Sequence, residues 1–404
     1  PDPAWGSIRY AQHLAAGAGP VWNLGGERVE GFASPLLLAV QILAIKAGIN
    51  PMGAGQVLGI LVGLATLGVV YRLGGKAIGA LPAALAVLFI GTTPAFSLWA
   101  VAGTDTPIVA LLITFATLDL LGGGSRFAAV ALAVLPLLRA EGLVFAVAIA
   151  MAGTAFGPNW KNQVVKAMIP VVVVTVAVTL VRVLVFGQTF PNAVYFRFGS
   201  AEPFATVSEF VQLLAPTLPF AVLGAVAAGG VGIRMAVCAL VIAFTALLTM
   251  DSVTAFARPA ISFLPLVALL AGRGLMLMSH LGRGLVGAFA FVLGMTGVVY
   301  ALRGVPGLSV AAAHESERDL SECRSAVRST AALWLKSWLE PDESYVVADA
   351  GEFSLVAGGI SLDLLGLHDP SLAITGRPSF GARARWALKQ RPNWLVIRGK
   401  ADVD

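Results

Sequence analysis

Long apolar runs decide what this chain can fold into. Stretches of roughly 15 to 23 residues recur along it, each long enough to carry an α-helix across a hydrocarbon core. The segment "PVVVVTVAVTLVRVLVF" at 170–186 is one of them. Backbone placed in lipid must satisfy its own hydrogen bonds, which leaves helices or the strands of a closed barrel. Barrel strands alternate apolar and polar residues, whereas these runs are continuously apolar. Only 12% of the residues are charged and the mean hydropathy is +0.84, against about 25% charged in soluble domains. The sequence predicts a polytopic α-helical membrane protein.

Candidate spans lie at 55–73, 79–101, 106–121, 167–186, 207–228, 234–250, 259–278 and 284–302. Shorter runs at 127–138 and 143–156 flank "RAEG" and count as two passes meeting at an outer apex, giving about ten membrane segments. The run 35–48 is too short to span. Ser34 is placed to cap it and Pro35 to start it, so it reads as a juxtamembrane helix. The first residue is Pro, so any leading signal or first spanning helix would not be visible in this sequence.

Short-loop charges set the orientation. If 55–73 runs inward, the inner loops hold Arg72 and Lys76, then Arg126, Lys161, Lys166, Arg234, Arg273 and Arg283. The outer side then receives the opening segment, Asp105, the Arg139–Glu141 turn, 187–206, 251–258 and the C-terminal region. That region changes character near residue 311. "ESERDLSECRSAVRSTAALWLKSWL" has helical spacing of Leu320, Cys323, Val327, Trp334, Leu335 and Trp338. Strand-like "SYVVAD" and "NWLVIR" follow, with helical "GARARWALKQ" before the second. A small soluble α/β domain is expected there. The domains read as 1–54, a first outer loop with its juxtamembrane helix; 55–305, the membrane helices; and 306–404, the outer domain.

The net charge of +5 is scattered singly among apolar runs, which argues against nucleic acid. Cys238 and Cys323 suggest no disulfide framework, and the four histidines show no metal-ligand spacing. No GxxxxGK[ST] motif and no strand-linked GxGxxG is present, so no soluble nucleotide site is indicated. Charges beside a bilayer are costly unless they face a cavity or a partner. The inner ones are all Lys or Arg and serve topology. The outer ones mix Asp2, Glu27, Glu30, Asp105, Glu141 and Asp251 with Arg9, Arg28, Arg139, Arg197 and Arg258. That mixture suits a lipid-phosphate donor. Guanidinium forks hold the phosphate and stabilise charge on it as it leaves, while a carboxylate takes the proton of the acceptor hydroxyl.

The opening "DPAWGSIRYAQHLAAGAGPVWNLGGERVEGFASPLL" resembles the first outer loop of GT-C glycosyltransferases, closest to the mycobacterial terminal arabinofuranosyltransferase family. "SLWAVAGTDTPIVALL", "LLRAEGLVFAVAI", "FPNAVYFRFG", "FARPAISFLPLVALLAG", "VADAGEFSLVAGGISLDLLGLHDP" and "RPNWLVIRG" follow in the same order. The resemblance implies a GT-C-like transferase in a bacterial inner membrane. It would move a sugar, arabinofuranose or another pentose, from a polyprenyl-phosphate donor to a cell-envelope glycan or glycolipid on the periplasmic side. Carried across, Asp2 is the general base and Asp105 the second-loop acid, both catalytic. Arg197 and Arg258 fall on basic positions for the donor phosphate. Arg9, Tyr10, Glu30, Arg139, Glu141 and Asp251 complete the expected substrate-binding set. Where the family shows two adjacent acids, this chain has Asp2 followed by Pro3, and the missing second carboxylate argues against a paired-acid or metal-bridging role; a divalent cation is the one cofactor left open.

Plainer readings stand beside these. Asp2 reads also as a frayed terminus, Asp105 as a helix N-terminal acid, Arg139 and Glu141 as each other's partners, and Arg197 as an interfacial anchor. Arg182 reads as a snorkelling residue. Two rival functions are a transporter or flippase of a lipid-linked envelope precursor and a non-catalytic envelope scaffold. Transporters tend to carry midplane charges and broken helices in matching halves, a pattern this sequence does not show.

Overall fold

The computed structural model describes residues 2–32, 34–124, 126–155, 157, 159–198, 213–215, 217–249, 258–279, 327–348, 350–369, 371–372 and 380–396. The chain forms two compact units. Pro1–Gly55, Thr179–Ser200 and Leu320–Asp404 make the first; Gln56–Val178 and Ala201–Asp319 make the second.

The opening segment is not only a loop. It begins with α1 (Asp2–Ala15), whose Ala4, Ile8 and Ala11 fall at helical spacing and are buried. Helix α2 (Pro35–Lys46) starts as its sequence predicts, with the Leu37 amide donating to Ser34 Oγ at 3.3 Å and Pro35 in the first turn. The first long helix, α3, runs over Pro51–Ile78 with a π-helical turn at Val70–Gly74.

The expected span 79–101 is broken. Helices α4 (Ala80–Thr92) and α5 (Pro94–Val101) meet at 65°. Thr93 is extended, with φ −77° and ψ 115°, because the ring of Pro94 disfavours helical backbone in the residue before it. Then come α6 (Thr106–Leu121), α7 (Arg126–Leu138), α8 (Gly142–Thr154), α9 (Trp160–Phe186) and α10 (Asn192–Phe198). Helix α9 starts seven residues earlier than the apolar pattern suggests, since Lys161 and Lys166 are good helix formers at its polar end. In the expected span 207–228 the described helix is α11 (Leu218–Ala227), followed by α12 (Gly229–Thr249). The expected span 259–278 is interrupted after α13 (Arg258–Ile261), and α14 (Leu264–Ser279) restarts with Pro265 in its first turn. The expected span 284–302 lies outside the described residues.

Residues 327–338 form α15. After it come β1 (Ser344–Val347), α16 (Ala350–Ala357), β2 (Ile360–Asp363), α17 (Phe380–Lys389) and β3 (Trp394–Val396). The three strands are parallel in the order β2-β1-β3, with Val346 opposite both Leu362 and Leu395. Among the described residues, three helices are long and apolar enough to cross a membrane, or four if α4 and α5 together make one broken span.

In the second unit apolar helices pack through small residues, which let backbones approach where lipid supplies no hydrophobic drive. A methyl group on Gly224 of α11 would overlap the Leu270 carbonyl, and one on Gly274 of α14 would overlap the Phe220 carbonyl. The α11–α14 contact therefore needs glycine on both sides. At the α7–α8 turn, a methyl on Gly142 would meet the Leu135 carbonyl.

In the first unit α1 packs on α2 and α16. The core joins Tyr10, Trp22 and Phe32 from the opening segment to Leu335, Tyr345 and Phe353 from the C-terminal region. Asn23 secures the edge of β2: its Nδ2 donates to the Ser361 carbonyl and its Oδ1 accepts from the Ser361 amide, both at 2.9 Å.

Candidate functional site

The second unit gathers two arginines from distant points in the sequence around one carboxylate. Asp105 precedes α6, Arg139 ends the α7 hairpin arm, and Arg258 opens α13. All three are buried. Arg139 Nε donates to Asp105 Oδ2 at 2.8 Å and Arg139 Nη2 to Oδ1 at 3.3 Å; Arg258 Nη2 donates to Oδ1 at 2.8 Å. The Thr106 hydroxyl accepts from Arg139 Nη2 at 3.1 Å and from Arg258 Nε at 3.0 Å. Trp99 lies under Arg258, its ring centre 5.2 Å from the guanidinium carbon.

Burial alone would raise the Asp105 carboxyl. The charges and hydrogen bonds of Arg139 and Arg258 outweigh it and hold the group well below the usual carboxylate range. The same pairing raises Arg139 against the opposing effect of burial, and Glu141 adds to the rise. With both oxygens engaged by N–H donors and its proton affinity depressed, Asp105 is a poor proton acceptor. It is well built to fix two guanidinium groups in place. Arg139 Nη1 is buried with no acceptor among the described residues, an unmade charged hydrogen bond of the kind an anion would complete.

The first unit has its own buried ion pair. Arg182 of α9 donates from Nε to Glu30 Oε2 at 2.9 Å and Oε1 at 3.0 Å. Burial pushes the Glu30 carboxyl up against the pull of Arg182. Sequence reasoning assigned Arg182 to snorkelling; the structure buries it instead. Its signal was a single arginine four residues before the end of an apolar helix, opposite an outer segment rich in acids. Thr106 was also overlooked, although a hydroxyl beside Asp105 at a helix start is suited to bridging the two arginines.

Arg9 is held by the unit's own backbone. It donates from Nε to the Trp22 carbonyl at 2.9 Å and from Nη2 to Gly359 O at 2.9 Å and Asn23 Oδ1 at 3.1 Å; Nη1 donates to Ser354 O. The Tyr10 hydroxyl and His368 Nδ1 share a hydrogen bond of 3.2 Å, and the His368 ring stacks on Trp22 at 3.6 Å and 3°. Burial, helped by the Arg9 charge, pushes the imidazole down to about 3, so His368 is neutral at ordinary pH. Burial likewise raises the Tyr10 phenol. Asp2 and Arg197 lie within α1 and α10, but their side chains fall outside the described residues, as does the whole of Asp251. Among the described residues no three His, Cys, Asp or Glu side chains gather to hold a metal ion.

No family model and no curated protein matches the sequence. Solved structures do resemble the fold. ArnT from Cupriavidus metallidurans bound to undecaprenyl phosphate aligns with a TM-score of 0.64 at 14% identity, over 90% of this chain and 81% of that one. The apo form of ArnT gives 0.64 at 14% over 95% and 85%. The archaeal oligosaccharyltransferase AglB from Archaeoglobus fulgidus, with an inhibitory peptide and a dolichol-phosphate, gives 0.58 at 13% over 96% of this chain and 64% of that one. These are GT-C glycosyltransferases, and at such identities the shared property is the fold.

Proposed function

We propose that this chain is a membrane glycosyltransferase that takes a sugar from a polyprenyl-phosphate donor and passes it to a cell-envelope glycan or glycolipid. The observation that carries the reading is the fold shared with proteins whose structures hold undecaprenyl phosphate and a dolichol-phosphate. The buried arginine pair at Asp105 supports it from within the chain. Two guanidinium groups share one carboxylate there, and one of them keeps a buried donor without an acceptor among the described residues. In this reading Arg139 and Arg258 bind the donor phosphate and stabilise the charge it gains as the sugar leaves. Asp105 holds them in position. Asp2 is the general base, and Arg197 is a further basic contact to donor. The sugar is arabinofuranose or a related pentose, and the reaction takes place at the periplasmic face of a bacterial inner membrane.

Titration of the purified full chain with polyprenyl monophosphate tests the binding half. A hydrogen bond to a charged group contributes about 1.5–3 kcal/mol, so Arg258→Gln should weaken binding roughly ten- to a hundredfold. Asp2→Asn should leave that affinity unchanged and abolish transfer. Equal affinity of wild type and Arg258→Gln would remove the phosphate from this site. Retained transfer in Asp2→Asn would remove the base assignment.

A further inference from the structure

Helix α15 carries two apolar faces, and the fold uses one. Ala332 and Leu335 are buried, and Ala331 and Leu339 pack against the same core. About a third of a turn away runs a second stripe, Val327, Ala331, Trp334 and Trp338, at the 4-3-4 spacing that lines one side of a helix. The helical spacing read from the sequence groups Val327, Trp334 and Trp338 with Leu335. The structure separates them: Leu335 is buried, whereas Val327 is 63% exposed, Trp334 56% and Trp338 62%. The stripe runs for about 16 Å at 1.5 Å per residue. Val327, Thr330, Ala331 and Trp334 line an open hollow of about 530 Å³. Trp394 stands at 90° to Trp334, with ring centres 6.0 Å apart, and forms one wall of the aromatic surface.

The surroundings identify what covers this face. Phe186, the last residue of α9, packs on the same hydrophobic core as Ala331 and Leu339. Among the described residues, helix α9 is the most apolar of the membrane-length helices, with a mean hydropathy of 2.6, and it ends at this core. Ile42 and Ile45 of the juxtamembrane helix α2 reach the core too, while Leu43 beside them is 68% exposed. Residues 327–338 include Arg328 and Lys336 and no acid. Tryptophan rings favour the layer between headgroups and acyl chains, and the absence of acids from 327–338 leaves nothing on this helix to repel anionic lipid. A stripe lined almost wholly by carbon offers few partners to the hydroxyl groups of a glycan.

We propose that α15 is a lipid-surface anchor. It lies along the membrane with Trp334 and Trp338 inserted at the boundary between headgroups and acyl chains. The anchor holds the first unit against the bilayer at a point separate in sequence from the membrane-spanning helices, whichever reaction the chain performs.

Tryptophan quenching in vesicles tests this. The full chain is reconstituted into phosphatidylglycerol and phosphatidylcholine vesicles whose lipids are brominated either just below the headgroup or near the chain end. Subtracting the emission of Trp334→Phe/Trp338→Phe isolates the two rings. The anchor predicts that their signal is quenched strongly by shallow bromine, weakly by deep bromine, and little by aqueous acrylamide. Because both side chains are exposed, the double variant keeps the core. Free quenching by acrylamide with none by bromolipid overturns the proposal. Protection from acrylamide that appears only on adding a soluble glycan or a second protein overturns it in favour of that partner.

Discussion

Replacing Asp105 by asparagine removes one negative charge and leaves two buried guanidinium groups facing an amide. The carboxylate now accepts three hydrogen bonds, at 2.8, 2.8 and 3.3 Å, from Arg139 and Arg258. Breaking a buried ion pair from one side costs about 3–5 kcal/mol, because the remaining charge stays buried without compensation. Two arginines depend on Asp105, but Thr106 still accepts from both and Trp99 still faces Arg258. The expected loss is therefore about 3–5 kcal/mol rather than twice that. At about 2 °C per kcal/mol for a unit of this size, the unfolding midpoint should fall by roughly 6–10 °C. Differential scanning calorimetry in detergent, followed by tryptophan emission, reads the change. Adding Arg139→Met should recover part of it by removing one stranded cation. The sign of the pH dependence follows from the depressed carboxyl. Its contribution is complete above the unfolded value near 3.9 and is lost only as the pH falls through the lower folded value. The midpoint difference between Asp105→Asn and wild type should thus be constant across neutral pH. An unchanged midpoint in Asp105→Asn would refute the argument that this carboxylate neutralises the two arginines.

Three further outcomes are expected. His368 is neutral when folded, with its imidazole at about 3, so stability declines as the pH falls below the unfolded value near 6.5. Between pH 7 and 5 the loss should be about 2 kcal/mol, and His368→Phe, which keeps the stack on Trp22, should flatten the profile in a calorimetric pH series. Gly224→Ala forces a methyl against the Leu270 carbonyl and should cost about 1–3 kcal/mol; Gly68→Ala, which meets open space, should be neutral or stabilise by about 0.5–1 kcal/mol in the same melt. Glu30→Gln and Arg182→Met should each destabilise by about 3–5 kcal/mol, while the double variant loses less than the two summed, as measured by a double-mutant cycle.

Much of the membrane architecture could be read from the chain. Continuous apolar runs fix helices because lipid allows them few alternatives, and α6, α7 and α8 lie within a residue or two of where the runs and "RAEG" place them. What failed was local. The Thr93-Pro94 break was visible as a proline but hidden by unbroken hydrophobicity on both sides. Helix α1 was obscured because its apolar residues are small and spaced among Gly6, Ser7 and Arg9, and β2 because "ISLD" is four residues beside two glycines. In the candidate site, Asp105, Arg139 and Arg258 stood out as charges flanking apolar runs, since such charges need partners. Their mutual pairing did not stand out, because it joins positions more than thirty and a hundred and fifty residues apart. The Glu30–Arg182 pair was missed for the same reason. Arg182 has an ordinary alternative near a helix end, and only tertiary structure shows that it is buried.

The central claim is sugar transfer from a lipid phosphate, and one measurement addresses it most directly. The wild-type chain in proteoliposomes is incubated with each of a panel of radiolabelled polyprenyl-phosphate sugars and an envelope glycan acceptor, and label is followed from lipid to glycan. The account predicts transfer from one donor, a pentose, with release of polyprenyl phosphate in equal amount. Label that crosses the bilayer still attached to its lipid, with none reaching the glycan, would contradict it and identify a flippase.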